Sequence, residues 1–191
     1  MWLREATEDR ARETERMDPE RRRIAAAAIV RPATDEDLDE LVQHIWDVAA
    51  EGRWIGPEVP FDRDARRTRL ASLASGAHSI VLVVDTSTAG GPGVVGYISI
   101  DIASYGVADI GMLIIVGWRG LGLGTTMLDA AIGWAAAEGA HKMALEAWPH
   151  NSSALELYRR AGFVEEGRKR RHYRRQNGEI WDAVLMGRSL P

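Results

Sequence analysis

Apolar residues along this chain recur with two periods, one near 3.6 and one near 2, and each change of period marks an element boundary. A β-leaning stretch at Ala28 to Arg31 precedes Thr34-Asp35-Glu36-Asp37, a capping sequence with acids in the first turn. Leu38, Leu41, Val42, Ile45, Val48 and Ala49 then follow at intervals of three and four, which predicts a helix with one buried stripe ending near Gly52. Arg53 to Pro60, with two prolines, a glycine and Trp54, is predicted to be irregular, and a second helix to run from roughly Asp62 to Ala74. Ser79 to Asp85 and Val94 to Ala103 are β-branched runs broken by Gly90-Gly91-Pro92-Gly93, the pattern of a hairpin.

A third such strand, about Val107 to Val116, leads into a glycine cluster at 117–124 and then an alanine-rich helix from Thr125 to Ala137, stopped by Gly139. Lys142 to Trp148 reads as a strand and Asn151 to Ala161 as a helix closed by Gly162. Phe163 to Leu190 reads as an arginine-rich hairpin turning at Asn177-Gly178. Before all of this, Met1 to Arg23 alternates acids and arginines with little to bury, so residues 1–26 are expected to be a charged extension, helical or disordered.

Composition narrows the chemistry. The chain has 191 residues and no cysteine, which removes disulfides, thiolate metal sites and cysteine nucleophiles and requires no oxidising compartment, so a cytoplasmic location is expected. The net charge of −4 makes the whole chain no polyanion binder. Of the basic residues only Lys142 and Lys169 are lysines, which reads as compositional bias of the coding genome. Arg21-Arg22-Arg23 followed by Ile24 to Val30 looks superficially like a secretory leader, yet Arg31-Pro32 interrupts it and it lies deep in the chain. No segment approaches the roughly 20 apolar residues needed to cross a bilayer. His44, His78, His141, His150 and His172 show no ligand spacing, so no metal is expected.

The glycine cluster carries the most chemistry. In Arg119-Gly120-Leu121-Gly122-Leu123-Gly124 a strand turns into a helix, where free main-chain N–H groups and the helix dipole favour an anion, phosphate first. A Walker loop fails because Leu123 stands where its lysine belongs, and a dinucleotide fingerprint fails because Thr125 replaces its third glycine. A turn kept only for close strand-to-helix packing explains the same letters.

Arg-x-x-Gly-x-Gly at Arg119, Gly122 and Gly124 resembles the GNAT superfamily of acetyl-CoA-dependent N-acetyltransferases. A second block agrees: Leu145-Glu146-Ala147-Trp148-Pro149-His150-Asn151, then Ala154, Tyr158 and Ala161-Gly162-Phe163. The resemblance covers about Ile29 to Leu190. It implies an α/β (α+β) fold: a mixed, twisted, mostly antiparallel sheet flanked by about four helices, with the fourth and fifth strands splayed, in an acetyltransferase domain at 27–191. It further implies that main-chain groups of Leu113, Ile114 and Ile115 meet the pantetheine arm of acetyl-CoA. Arg119, Gly120, Leu121, Gly122, Leu123, Gly124 and Thr125 would wrap its diphosphate, and Asn151 would touch the arm.

The closest match in motif is to the ribosomal-protein N-terminal acetyltransferases, whose base and acid positions Glu146 and Tyr158 match. Asp109 is the substitute base. Glu146 also reads as an exposed strand-end carboxylate, and Tyr158 as a core aromatic. The acceptor, a protein N-terminus or a small-molecule amine, would meet Trp54 and Glu58 in the loop Glu51 to Pro60, letters that a packed connecting loop also explains. The reaction implied is direct transfer to a primary amine without an acyl-enzyme; the other reading is a non-catalytic acetyl-CoA sensor or assembly protein. The basic run Arg168 to Arg175 is expected to be a solvated hairpin face rather than a nucleic-acid grip, because Glu165, Glu166 and Glu179 offset it. An exposed strand edge or the extension is available for a homodimer.

Overall fold

A computed structural model describes residues 18–191; residues 1–17, most of the charged extension, lie outside the described residues. Seven strands form one sheet in the order β1-β2-β3-β4-β5-β7-β6. They are β1 (Ile29–Pro32), β2 (Ser79–Asp85), β3 (Val94–Ile102), β4 (Val107–Ile114), β5 (Lys142–Ala147), β6 (Val164–Arg174) and β7 (Ile180–Ser189). All neighbours are antiparallel except β4 and β5. Among the described residues five α-helices accompany them: α1 (Pro19–Ala26), α2 (Leu38–Ala50), α3 (Arg63–Ser75), α4 (Leu123–Ala137) and α5 (Ser152–Arg160).

The two faces of the sheet bury separate cores, as the alternation of side chains along each strand requires. On one face Ile98, Ile100, Ala108, Met143 and Leu145 pack against Met127, Leu128 and Ala131 of α4 and Leu155 and Tyr158 of α5. On the other, Val81, Val83 and Leu113 pack against Leu38, Leu41 and Ile45 of α2 and Leu70 of α3. The helix beyond the expected four is α1. Its Ile24 and Ala25 are buried in the first core, so the last part of the extension is packed onto the domain.

Most boundaries fall within two residues of the expected ones. The acidic capping sequence forms a 3₁₀ turn, Asp35–Asp37, before α2 begins. Asp37 is the hub of that junction. Arg31 on β1 reaches both of its carboxylate oxygens at 2.7 and 2.9 Å and donates from Nε to Asp85 on β2 at 2.9 Å, while the Thr34 N–H donates to Asp37 at 2.7 Å. The Arg31 hydrogen bond outweighs burial, which opposes it, and with Thr34 holds the Asp37 carboxyl at about 2. The hydrogen-bonded charge ties the edge strand to the start of α2.

A folded-state value below the ordinary one means that the carboxylate stabilises the fold above pH 4 and loses that contribution as pH falls through about 2. Asp37→Asn is therefore expected to lower the unfolding free energy by about 2 kcal/mol at pH 7, with the gap to the parent protein closing between about pH 4 and pH 2. Urea denaturation at several pH values measures it; a gap constant over that range would contradict the ion pair.

Candidate active site

The parallel pair β4 and β5 is hydrogen-bonded only from Val107 with Lys142 to Asp109 with Ala144. Beyond that point β4 runs on to Ile114 against β3 alone, and β5 runs on to Ala147 against β7 alone, so the two strands diverge. The direction of each main-chain group follows from its neighbours. The Ile115 N–H donates to Val95 and the Val107 carbonyl accepts from Ala103, so odd-numbered residues of β4 turn their polar groups toward β3. The Gly106 carbonyl accepts from His141, so even-numbered residues turn toward β5. Met112 and Ile114 therefore face the gap.

This corrects part of the expectation. Leu113, paired with Tyr97, and Ile115, whose carbonyl accepts from Trp118, spend their main-chain groups inside the protein; of the three residues named, Ile114 alone opens on the gap. The signal missed was the register of β3 on β4, which no motif encodes.

At the end of the gap the chain turns through Gly120 and Gly122, both with φ in the left-handed region (+75° and +86°), and enters α4. Hydrogen bonding to the protein resumes at Thr125 and Thr126, which donate to the Gly122 carbonyl, leaving the main-chain N–H groups from Arg119 to Gly124 without an acceptor among the described residues. Gly124 has a packing reason as well: a Cβ there would stand 2.9 Å from Leu157 of α5. Leu121 and Leu123 contribute to the first core. Arg119 offers its backbone only, because its guanidinium is engaged with Glu51 through both terminal nitrogens and with the Ile114 carbonyl through Nε at 2.8 Å. Asn151 caps α5, accepting from the Ala154 N–H at 3.3 Å.

Glu146 and Asp109 lie on the face away from the first core, beside the point where the strands part. Their partners differ. Burial raises the Glu146 carboxyl, but the Lys169 ammonium, the Tyr173 hydroxyl at 2.6 Å and the charge of His172 outweigh it and hold the group below the ordinary carboxylate range. Asp109 is raised by burial and by the like charges of Asp101 and Glu146. Tyr158 is 8% exposed and packs against Phe163; burial pushes its phenol up to about 12.

Loop 51–60 closes the other side. Trp54 donates to Glu51 at 2.6 Å and lies under the Arg53 guanidinium, while Glu58 accepts from the Gln176 N–H at 3.1 Å. Both are thus held by the protein itself. Arg175, 5% exposed, lies 4.5 Å from the Trp181 ring centre and 5.5 Å from that of Trp148, and donates to the Gly56 carbonyl at 2.8 Å.

Lys169, Tyr173 and Arg175 were not separable from the basic run by sequence. Lys169 pairs with Ala183 and Tyr173 with Trp181, with Arg170 to His172 bulged between them and pinned by the Arg171 N–H on Asp182 at 2.7 Å. That bulge brings both side chains to Glu146. Among the described residues no group of His, Asp and Glu is arranged to hold a metal, and no helix is long and apolar enough to cross a membrane.

A family model for the acetyltransferase (GNAT) family matches residues 38–163. Similar solved structures include an acetyltransferase of the GNAT family from Streptococcus pneumoniae, 26% identical over 85% of this chain and 99% of that one, with a TM-score of 0.74. A phosphinothricin acetyltransferase from Sinorhizobium meliloti in complex with acetyl-CoA is 20% identical over 85% and 88%, with a TM-score of 0.76. A ribosomal-protein-alanine N-acetyltransferase from Brucella melitensis is 24% identical over 85% and 99%, with a TM-score of 0.75.

The electrostatics around Glu146 can be checked directly. Lys169→Met removes the ion pair and is expected to move the Glu146 carboxyl back up toward its ordinary range, read by a side-chain carboxyl NMR titration; an unchanged midpoint would show that the pair is not formed.

Proposed function

Because the chain belongs to the GNAT acetyltransferase family, we propose that it moves the acetyl group of acetyl-CoA directly to a primary amine held on the open face of the sheet. The observation that carries this reading is the parting of β4 from β5, with the main-chain groups of Met112 and the N–H of Ile114 facing the gap and leading to unspent N–H groups from Arg119 to Gly124, the Ile114 carbonyl being held by Arg119. Amide groups along a strand edge suit the amides of pantetheine, and a run of N–H groups at a helix mouth suits a diphosphate. Asn151 stands at the start of α5 to meet the arm's far end.

Acetyl-CoA supplies a thioester carbonyl; the amine nitrogen bonds to that carbon, the carbon–sulfur bond breaks, nitrogen gives up a proton and sulfur receives one. An alkyl ammonium with a pKa near 10 needs a proton acceptor. Asp109 serves better than Glu146, because its raised carboxyl is the stronger base, while Glu146 is tied to Lys169 and Tyr173. Burial, first, and then the carboxylates of Asp101 and Glu146 keep Asp109 raised.

The Ile114 N–H faces the gap, which supports a role for it as donor to the oxygen that gains negative charge. Tyr158, with a phenol near 12, stays protonated at every working pH. It serves the departing thiolate, whose acid has a pKa of about 8.5, by hydrogen bonding rather than by full ionisation.

The acceptor side we assign to Trp54, Glu58 and the hairpin aromatics, and the acceptor is a protein N-terminus or a small-molecule amine. Among the similar solved structures are a phosphinothricin acetyltransferase and a ribosomal-protein-alanine N-acetyltransferase. The test of the function is incubation with acetyl-CoA and a panel of N-terminal peptides, polyamines and amino-acid-like amines, read by mass spectrometry and free-thiol release. An acetylated amine with matching thiol is expected; coenzyme binding without thiol above background hydrolysis would leave a sensor instead.

With an amine from that panel, Asp109→Asn is expected to lower kcat/KM by about 10²-fold or more, and Glu146→Gln by clearly less. The reverse order would return the base to Glu146. Tyr158→Phe is expected to lower kcat by roughly 10²-fold with little change in coenzyme affinity by calorimetry; unchanged turnover would remove Tyr158 from the reaction.

A further inference from the structure

Loop 51–60 is fastened at both ends, and the two fastenings belong to different halves of the site. At its start Glu51, just past α2, receives both terminal nitrogens of Arg119 (2.8 and 2.5 Å) and the Trp54 indole N–H at 2.6 Å. Arg119 opens the glycine turn, and its third donor, Nε, holds the Ile114 carbonyl at the mouth of the gap. Close to this start the Arg53 carbonyl is bonded to His150 at 2.7 Å, and at the far end the Gly56 carbonyl receives Arg175 and Glu58 receives the Gln176 N–H. Gln176 and Arg175 lie at the tip of the β6–β7 hairpin, and His150 follows β5.

We propose that Glu51 is a positioning residue that makes loop 51–60 a strut, so that filling the coenzyme turn steadies the hairpin wall against which the acceptor lies. The inference rests on the coenzyme assignment above and deepens it.

Two physical features make the loop act as a unit. The first is Arg175. Its Nε and Nη2 are buried without a hydrogen-bond partner, its guanidinium is stacked on Trp181, and Glu58 lies 3.4 Å from Nε. Lifting the loop off the hairpin would strip this buried cation of Gly56 and Glu58 together, and an unpaired buried donor is costly. The loop and the hairpin tip therefore move together or not at all.

The second feature is the pairing of Glu51 with Arg119, in which both side chains are only about one-third exposed (30% and 34%) and the geometry is bidentate. A diphosphate seated on the N–H groups from Arg119 to Gly124 makes those contacts only with the ordered turn, so it favours the state in which Arg119 is docked on Glu51. The preference passes along the loop to residues 174–178. Linkage makes the effect mutual: whatever orders the hairpin wall also tightens coenzyme binding.

Amide hydrogen exchange of the full chain, read by mass spectrometry with and without saturating coenzyme A, tests this. In the parent protein coenzyme A is expected to slow exchange at 119–125, at 53–60 and at 174–178, the last by about threefold or more. In Glu51→Gln saturated with coenzyme A, slowing persists at 119–125 and is lost at 174–178. Glu58→Ala removes the acceptor of the Gln176 N–H and the counter-charge beside Arg175, weakening the far end instead; slowing then persists at 53–56 and is clearly reduced at 174–178, so the conclusion does not hinge on one variant folding. Equal slowing at 174–178 in the parent and either variant overturns the strut, as does no slowing there in the parent. No slowing at 119–125 in the parent overturns the coenzyme site, and the strut with it.

Discussion

Main-chain polar groups that leave a ladder need another partner, and past Asp109 and Ala144 the two parallel strands at the centre of this sheet stop being partners for each other. The divergence is held from both sides. β5 remains paired along its whole length with β7, β4 remains paired with β3, and Gly124 lets the mouth of α4 come close to Leu157 of α5 and to Met112 and Ile114. What is left is an edge inside the molecule, long enough for an extended arm and leading to a helix N-terminus. Those two facts support the proposed groove for a linear molecule with an anionic tail.

The charged groups are arranged around that opening rather than within it. Arg119 is a cation at a phosphate-suited turn, yet its charge is spent on Glu51 and on a carbonyl, so what the turn has left to offer an anion is its backbone. On the open face Lys169 and Tyr173 draw one carboxylate down while burial and like charge push its neighbour up. Two acids on adjacent strands thereby acquire different chemistry from environment alone.

Periodicity and punctuation were enough to read the elements from Ile29 onward: the three-four stripe of α2, the β-branched runs of β2 and β3, and the glycine stops all appear where the pattern places them. The glycine turn was legible because its glycines answer local needs, left-handed φ at Gly120 and Gly122 and close packing at Gly124. Three things were not. The choice between even and odd residues of β4 depends on register with β3. The approach of Lys169 and Tyr173 to Glu146 depends on a bulge. The burial of Arg175 depends on a loop more than a hundred residues away in the chain. Each is a long-range pairing that no local spacing records. Ile24 and Ala25 belong here too, since a short apolar pair in a charged stretch gains its meaning only from the core it meets.

The parting of β4 from β5 is tested most directly by residue-resolved amide exchange along β4, with and without acetyl-CoA. The N–H groups of Met112 and Ile114 should exchange readily in the free protein and become protected when acetyl-CoA binds, while Leu113 and Ile115 stay protected throughout. Met112 and Ile114 already as protected as Leu113 in the free protein, or unaffected by bound acetyl-CoA, would contradict the account.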